Sequence, residues 1–160
     1  MAEESKKAVG TGAMVLIGCG VFGALGMAAI GILAAIAVPN FISMQYKAKR
    51  SEIPVNLKSI KTSQIQYESD FDVYVRVAPY PSTPTKTTQQ WVKNRSGGFV
   101  TLNWAPDGDV RGSYWVDIAP NGQNFTATGI SDVDGDGVYA TYIATKSESP
   151  NTPITPANVY

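Results

Sequence analysis

The residues best placed to do chemistry are Asp132, Asp134 and Asp136, in the run Asp132-Val-Asp134-Gly-Asp136-Gly137. Carboxylates at alternate positions converge on a hard cation such as calcium, and glycine allows the chain to turn sharply. The closing half of a helix–loop–helix calcium site is missing, because its twelfth position is Ile143 where that motif has glutamate. Three acids in five residues repel one another, and a cation relieves that repulsion. One expectation is therefore a weak calcium site. The other is an Asp/Gly-rich connection between strands that turns without metal.

Little other chemistry is on offer. The 160-residue chain has no histidine and a single cysteine, Cys19. Histidine acid–base catalysis, Cys/His nucleophile pairs, zinc sites of the usual kind and an internal disulfide are excluded by inventory. The expectation is a structural or binding protein and not an enzyme.

The elements around the acidic run read as a meander. Alternating segments at Gly98–Trp104, Ser113–Ile118, Asn124–Thr128 and Val138–Ala144 predict four short strands. Turn signals at Pro106-Asp-Gly108, Pro120-Asn-Gly122 and Gly135-Asp-Gly137 separate them. Phe99, Trp104, Trp115 and Phe125 are expected in the core or on the sheet face. Ser69 to Lys93 reads as loop, broken by Pro79, Pro81 and Pro84 and pinned by Tyr80 and Trp91. The proline-bearing tail from Glu148 is expected to run extended along the surface. Upstream, Ile53, Leu57, Ile60 and Tyr67 form one helical stripe with Gln64 inside it, which predicts an amphipathic helix packed on the sheet. Pro54 interrupts that stripe. Either Ser51 caps a helix that restarts there, or one helix runs on with kinks at Pro39 and Pro54.

The stretch from Ala13 to Val38 carries no charged, amide or hydroxyl side chain. As a helix it spans about 39 Å, more than the roughly 30 Å of a bilayer's hydrocarbon core. A retained single membrane span is the leading expectation. A cleaved secretory signal is too short to match, and a lipidated Cys19 in Leu16-Ile-Gly-Cys19 would be followed by more apolar sequence instead of a polar tether. Gly20, Ala24, Ala28, Gly31 and Ala35 trace one face, a small-residue seam against which another helix can approach closely. Up to Arg50 five bases stand against two acids, leaving eight bases against eleven acids beyond it. A mildly acidic outer domain argues against nucleic acid as a partner. The bases Lys47, Lys49 and Arg50 just after the span would, by the positive-inside rule alone, place that domain in the cytoplasm.

The segment Gly31-Ile-Leu-Ala-Ala-Ile-Ala-Val-Pro39-Asn40-Phe41 resembles the N-terminal helix of type IV pilins and type II secretion pseudopilins, and the likeness continues through Tyr46–Glu52 and Asn56–Ile60. The resemblance implies an α+β fold: a long N-terminal helix, half in membrane or fibre core, its amphipathic half packed on a four-stranded antiparallel sheet. It implies a periplasmic or extracellular globular part, against the charge count, and assembly with copies of itself or other pilin-like subunits into a pilus-type filament or secretion machine. The resulting division is a short leader over 1–12, an assembly helix over 13–50 and a globular domain over 51–160. One departure stands out. Aligned on Gly31 and Pro39, Ile17 takes the place of the family's cleavage glycine and Phe22 that of its assembly glutamate. Gly10 and Gly12 fit the cleavage position only if the helix gains residues. The alternative is an unprocessed, tethered binding domain that never polymerises.

Overall fold

The computed structural model describes residues 11–160, with side chains described at 27 and from 30 onward. The chain separates into two compact units, Met1–Ile42 and Ser43–Tyr160. Among the described residues, helix α1, Thr11–Arg50, supplies the regular structure of the first unit and runs on in sequence into the second. Its assignment continues through Pro39.

Ser51 separates α1 from α2, Glu52–Phe71. Pro54 lacks the N–H that would bond the Arg50 carbonyl four residues back, so the ladder breaks there. Ser51 is not the expected cap. Its backbone stays helical, and its hydroxyl donates backward to the Ala48 carbonyl at 2.6 Å. An N-cap needs an extended backbone and a side chain that accepts from the next turn. At the other end α2 stops on Asp72 in the left-handed region, whose N–H bonds the Glu68 carbonyl at 2.8 Å.

The expected stripe is the buried face of α2. Ile53, Leu57 and Ile60 are fully buried, each contributing about 1.5–3 kcal/mol by removal from water. Gln64 is equally buried because both ends of its amide are paired: Nε2 donates to the Val75 carbonyl at 2.6 Å, and Oε1 accepts the Val75 N–H at 3.0 Å. A buried amide is tolerated when both its ends are paired.

The sheet is antiparallel, in the order β1 (Val77–Tyr80), β2 (Ser113–Ile118), β3 (Phe125–Ser131), β4 (Ala140–Thr145). Helix α2 packs on β3 and β4. The register places Tyr114, Gly129 and Tyr142 in one row across the sheet, and Val116, Ala127 and Ala144 in the next. Small residues thus line a trough between large ones, and α2 lies in it. A Cβ on Gly129 would stand 2.7 Å from Ile53 Cγ2 and 3.2 Å from Leu57 Cδ1, so that position has no room for a side chain.

Two sequence expectations fail together. The first strand is not Gly98–Trp104 but Val77–Tyr80, inside the segment read as loop. Gly98–Thr101 is instead a short helix, α3, which buries Phe99 and Leu102 three residues apart. That is helical spacing, whereas a strand would put those two on opposite faces. Strand β1 tolerates Pro79 because it is an edge strand and its register against β2 slips between Val77 and Tyr80. Edges and bulges are where sheets accept proline. Tyr80 and Trp91 do pin the following loop, with rings edge to face at 4.8 Å. Phe99, Trp104 and Phe125 are buried, while Trp115 is half-buried on the other sheet face. The tail lies along β4: the Ile154 N–H donates to the Thr141 carbonyl at 2.9 Å, and the Thr141 N–H to Thr155 Oγ1 at 3.1 Å.

Candidate functional site

Two features could carry function, and each is built locally. The first is α1. From Ile30 to Ile42 it has no charged residue, and large apolar side chains are exposed on every side of it: Ile30 at 68%, Leu33 at 67% and Phe41 at 62%. A helix that is apolar all round is stable only when something else surrounds it. Of the expected seam, Gly31 and Ala35 are exposed. A Cβ on Gly31 would meet nothing within 4 Å. Gly20, Ala24 and Ala28 lie outside the residues whose side chains are described. So does most of the expected membrane span at 13–38. Among the described residues, no helix is long and apolar enough to cross a membrane.

The second is the loop between β3 and β4. One carboxylate oxygen from each of Asp132, Asp134 and Asp136 lies within 4.8 Å of the others. The three do different work. Asp132 is buried, and its carboxylate accepts three backbone N–H groups, from Gly135 at 2.8 Å, Asp136 at 3.1 Å and Gly137 at 3.2 Å. Gly135 and Gly137 hold φ of +78° and +81°, which glycine adopts without strain. Asp136 accepts the Val138 N–H at 2.8 Å. Asp134 Oδ1 is buried with no hydrogen-bond partner among the described residues. Loss of solvent, followed by the nearby Asp136 charge, raises its pKa from the ordinary carboxylate value. The loop thus joins two strands as expected, and the proposed cation ligands are brought together. Asp132, however, already holds the turn through backbone amides.

Sequence reasoning missed the polar pins around the start of α2. Glu52 accepts the Arg111 N–H at 3.1 Å and the Tyr114 hydroxyl at 2.9 Å, while Asn56 donates to the same hydroxyl at 2.9 Å. Burial, with the Glu52 charge beside it, pushes the Tyr114 hydroxyl well above its ordinary pKa. Arg50, grouped by sequence with the bases after the span, is only 7% exposed. It donates to the Val159 carbonyl and stacks on the Tyr160 ring at 5.2 Å, which in turn meets Tyr46 at 5.3 Å. Nothing local in the sequence distinguishes Arg50 from Lys47 and Lys49. Its partners lie more than a hundred residues away.

This long apolar helix, with an amphipathic continuation on a four-stranded meander, is what the resemblance implied. The chain is 52% identical over 48 residues to the type IV major pilin protein PilA of Myxococcus xanthus. Over those residues it is similar to a type IV pilin. The match takes in 30% of this chain and 22% of PilA, so it spans about a fifth of that relative's length. No family model matches the chain. No solved structure matches it.

Proposed function

We propose that this is a structural, non-enzymatic pilin-like subunit that assembles through α1, with copies of itself or related subunits, into a pilus-type filament or secretion machine. The observation carrying this reading is the apolar surface exposed all round α1 from 30 to 42. Before assembly the membrane supplies its surroundings, with the globular unit on the periplasmic or outer side. After assembly, neighbouring helices do. The partial likeness to PilA supports the same reading.

Gly31 offers a clean test, because its missing side chain faces open space within its own chain. Gly31→Leu should leave the thermal midpoint of the globular unit unchanged and abolish filaments seen by electron microscopy, since a small-residue seam cannot admit a bulky side chain. Normal filaments from this variant would overturn the seam.

A tethered binding domain is the second reading. It is favoured by Ile17 and Phe22 at the expected cleavage and assembly positions. Mass spectrometry separates the two: an N-terminus at Met1 or Ala2 supports the tether, and one near Gly12 or Gly18 supports the fibre subunit. In either reading calcium is the proposed ligand of Asp132, Asp134 and Asp136. The buried, unpartnered Asp134 oxygen is the feature that favours it. Millimolar calcium should then raise the melting temperature, and Asp134→Asn should remove the response. An unchanged melting temperature in calcium removes the ion from the account.

A further inference from the structure

A groove of about 460 Å³ opens beside the C-terminal half of α2, within the size range of small-ligand sites, about 300–1,000 Å³. Ser63, Gln66 and Asp70 line one wall, with Thr101 and Asn103 from the end of α3 on the other. None of these five side chains hydrogen-bonds another described residue, so together they offer two hydroxyls, two amides and one carboxylate to an incoming molecule. Asn103 is held there by a left-handed backbone, φ +49°. Tyr67 and Phe71, one helical turn apart, add an apolar face. Their rings meet at 4.5 Å and 34°, and Phe71 is 60% exposed. Buried Leu102 also lines the groove.

We propose that this groove binds a neutral oligosaccharide. The chemistry selects that class over the others. Among the described residues no cationic side chain lines the groove, and Asp70 is the only charge, so phosphates, sulfated chains and nucleic acid are disfavoured. One carboxylate is too few for a metal. Five polar side chains disfavour a purely apolar ligand. A sugar ring matches what remains. Its apolar face covers an exposed aromatic ring, its hydroxyls donate to the Asp70 carboxylate, and they both donate to and accept from the amides and hydroxyls.

The full chain in detergent micelles is titrated with maltotriose, cellotriose and mannotriose by calorimetry, with a sulfated disaccharide as the anionic control. At least one neutral trisaccharide should bind saturably, and the control should not. Phe71→Ala should weaken binding about tenfold by loss of the stacking face. Asp70→Ala should weaken it about tenfold by loss of a charged acceptor. Both residues are exposed, so the thermal midpoints should stay at the wild-type value. The proposal is overturned if no neutral trisaccharide binds at tens of millimolar, or if binding survives both substitutions. It is equally overturned if sugars fail and Phe71→Ala instead disrupts self-association, which would make the groove a contact between copies. None of these outcomes bears on α1, whose assembly is read separately with Gly31→Leu.

Discussion

The closeness of α2 to the sheet can be tested atom by atom through Ile53. This fully buried side chain is what an added Cβ would meet first at two different glycines, and with two different atoms. A Cβ on Gly112 would land on Ile53 Cδ1, while one on Gly129 would stand 2.7 Å from Ile53 Cγ2. Overpacking a tight core typically costs about 1–3 kcal/mol. Neither glycine has a positive φ, so alanine also restricts the unfolded chain, which offsets about 0.4–1 kcal/mol. Each Gly→Ala should therefore destabilise by about 1–2 kcal/mol net. Ile53→Val alone should cost about 0.5–1.5 kcal/mol. Valine lacks Cδ1 but keeps Cγ2. In the double variant with Gly112→Ala the two losses should fall short of their sum by about 1 kcal/mol, relief being partial because the Ile130 carbonyl oxygen also lies 3.0 Å from the new Cβ. With Gly129→Ala the losses should add to within about 0.5 kcal/mol. Urea unfolding of the full chain in detergent, followed by tryptophan fluorescence, reads all six states at constant slope. Equal rescue at both glycines, or a neutral Gly112→Ala, would refute the close-packed trough.

Two further predictions concern the polar pins. The raised pKa of Tyr114 means that the folded state holds its proton more tightly than the unfolded state does. The resulting stability is fully present below about pH 10 and is lost as pH climbs through the folded value. Unfolding curves at several pH values above neutrality should show an alkaline decline that Tyr114→Phe reduces, and an identical decline in both proteins would remove Tyr114 as its source. Arg50→Ala should loosen the tail, since a hydrogen bond to a charged donor contributes about 1.5–3 kcal/mol. Hydrogen exchange should then quicken at the Val133 N–H, which bonds the Tyr160 oxygen at 3.1 Å, but not at Val116 in the sheet centre. Unchanged protection at Val133 would show that Arg50 does not hold the tail.

The fold was legible wherever one local period governed burial. Ile53, Leu57 and Ile60 announce the face of α2, and Ser113–Ile118 announces β2, because each element buries residues at its own repeat. Gln64 sat on the stripe as an anomaly, resolved only by a backbone partner eleven residues on. The segment from Gly98 to Trp104 misled because its apolar residues also fit a period of two, while the structure buries Phe99 and Leu102 at a helical step. Strand β1 was hidden by Pro79, which excludes a central strand but not an edge bulge. Of the site features, the apolar helix and the three aspartates could be read directly, since each is a run in sequence. The groove under Tyr67 and Phe71 could not, because its second wall comes from the misread segment.

The strand order matches the chain order, and this bears on how quickly the domain forms. Closing β2 on β3 and β3 on β4 brings together neighbours in sequence, so little loop entropy is lost before pairing begins. Docking α2 against β3 and β4 joins residues far apart in sequence, so it is expected to follow the pairing of the strands. In that sequence Asp132 acquires a role unrelated to any ion. By gathering three backbone N–H groups it shapes the connection that lets β3 find β4. Neutralising it should slow refolding more than it speeds unfolding, the signature of a turn already made at the transition state.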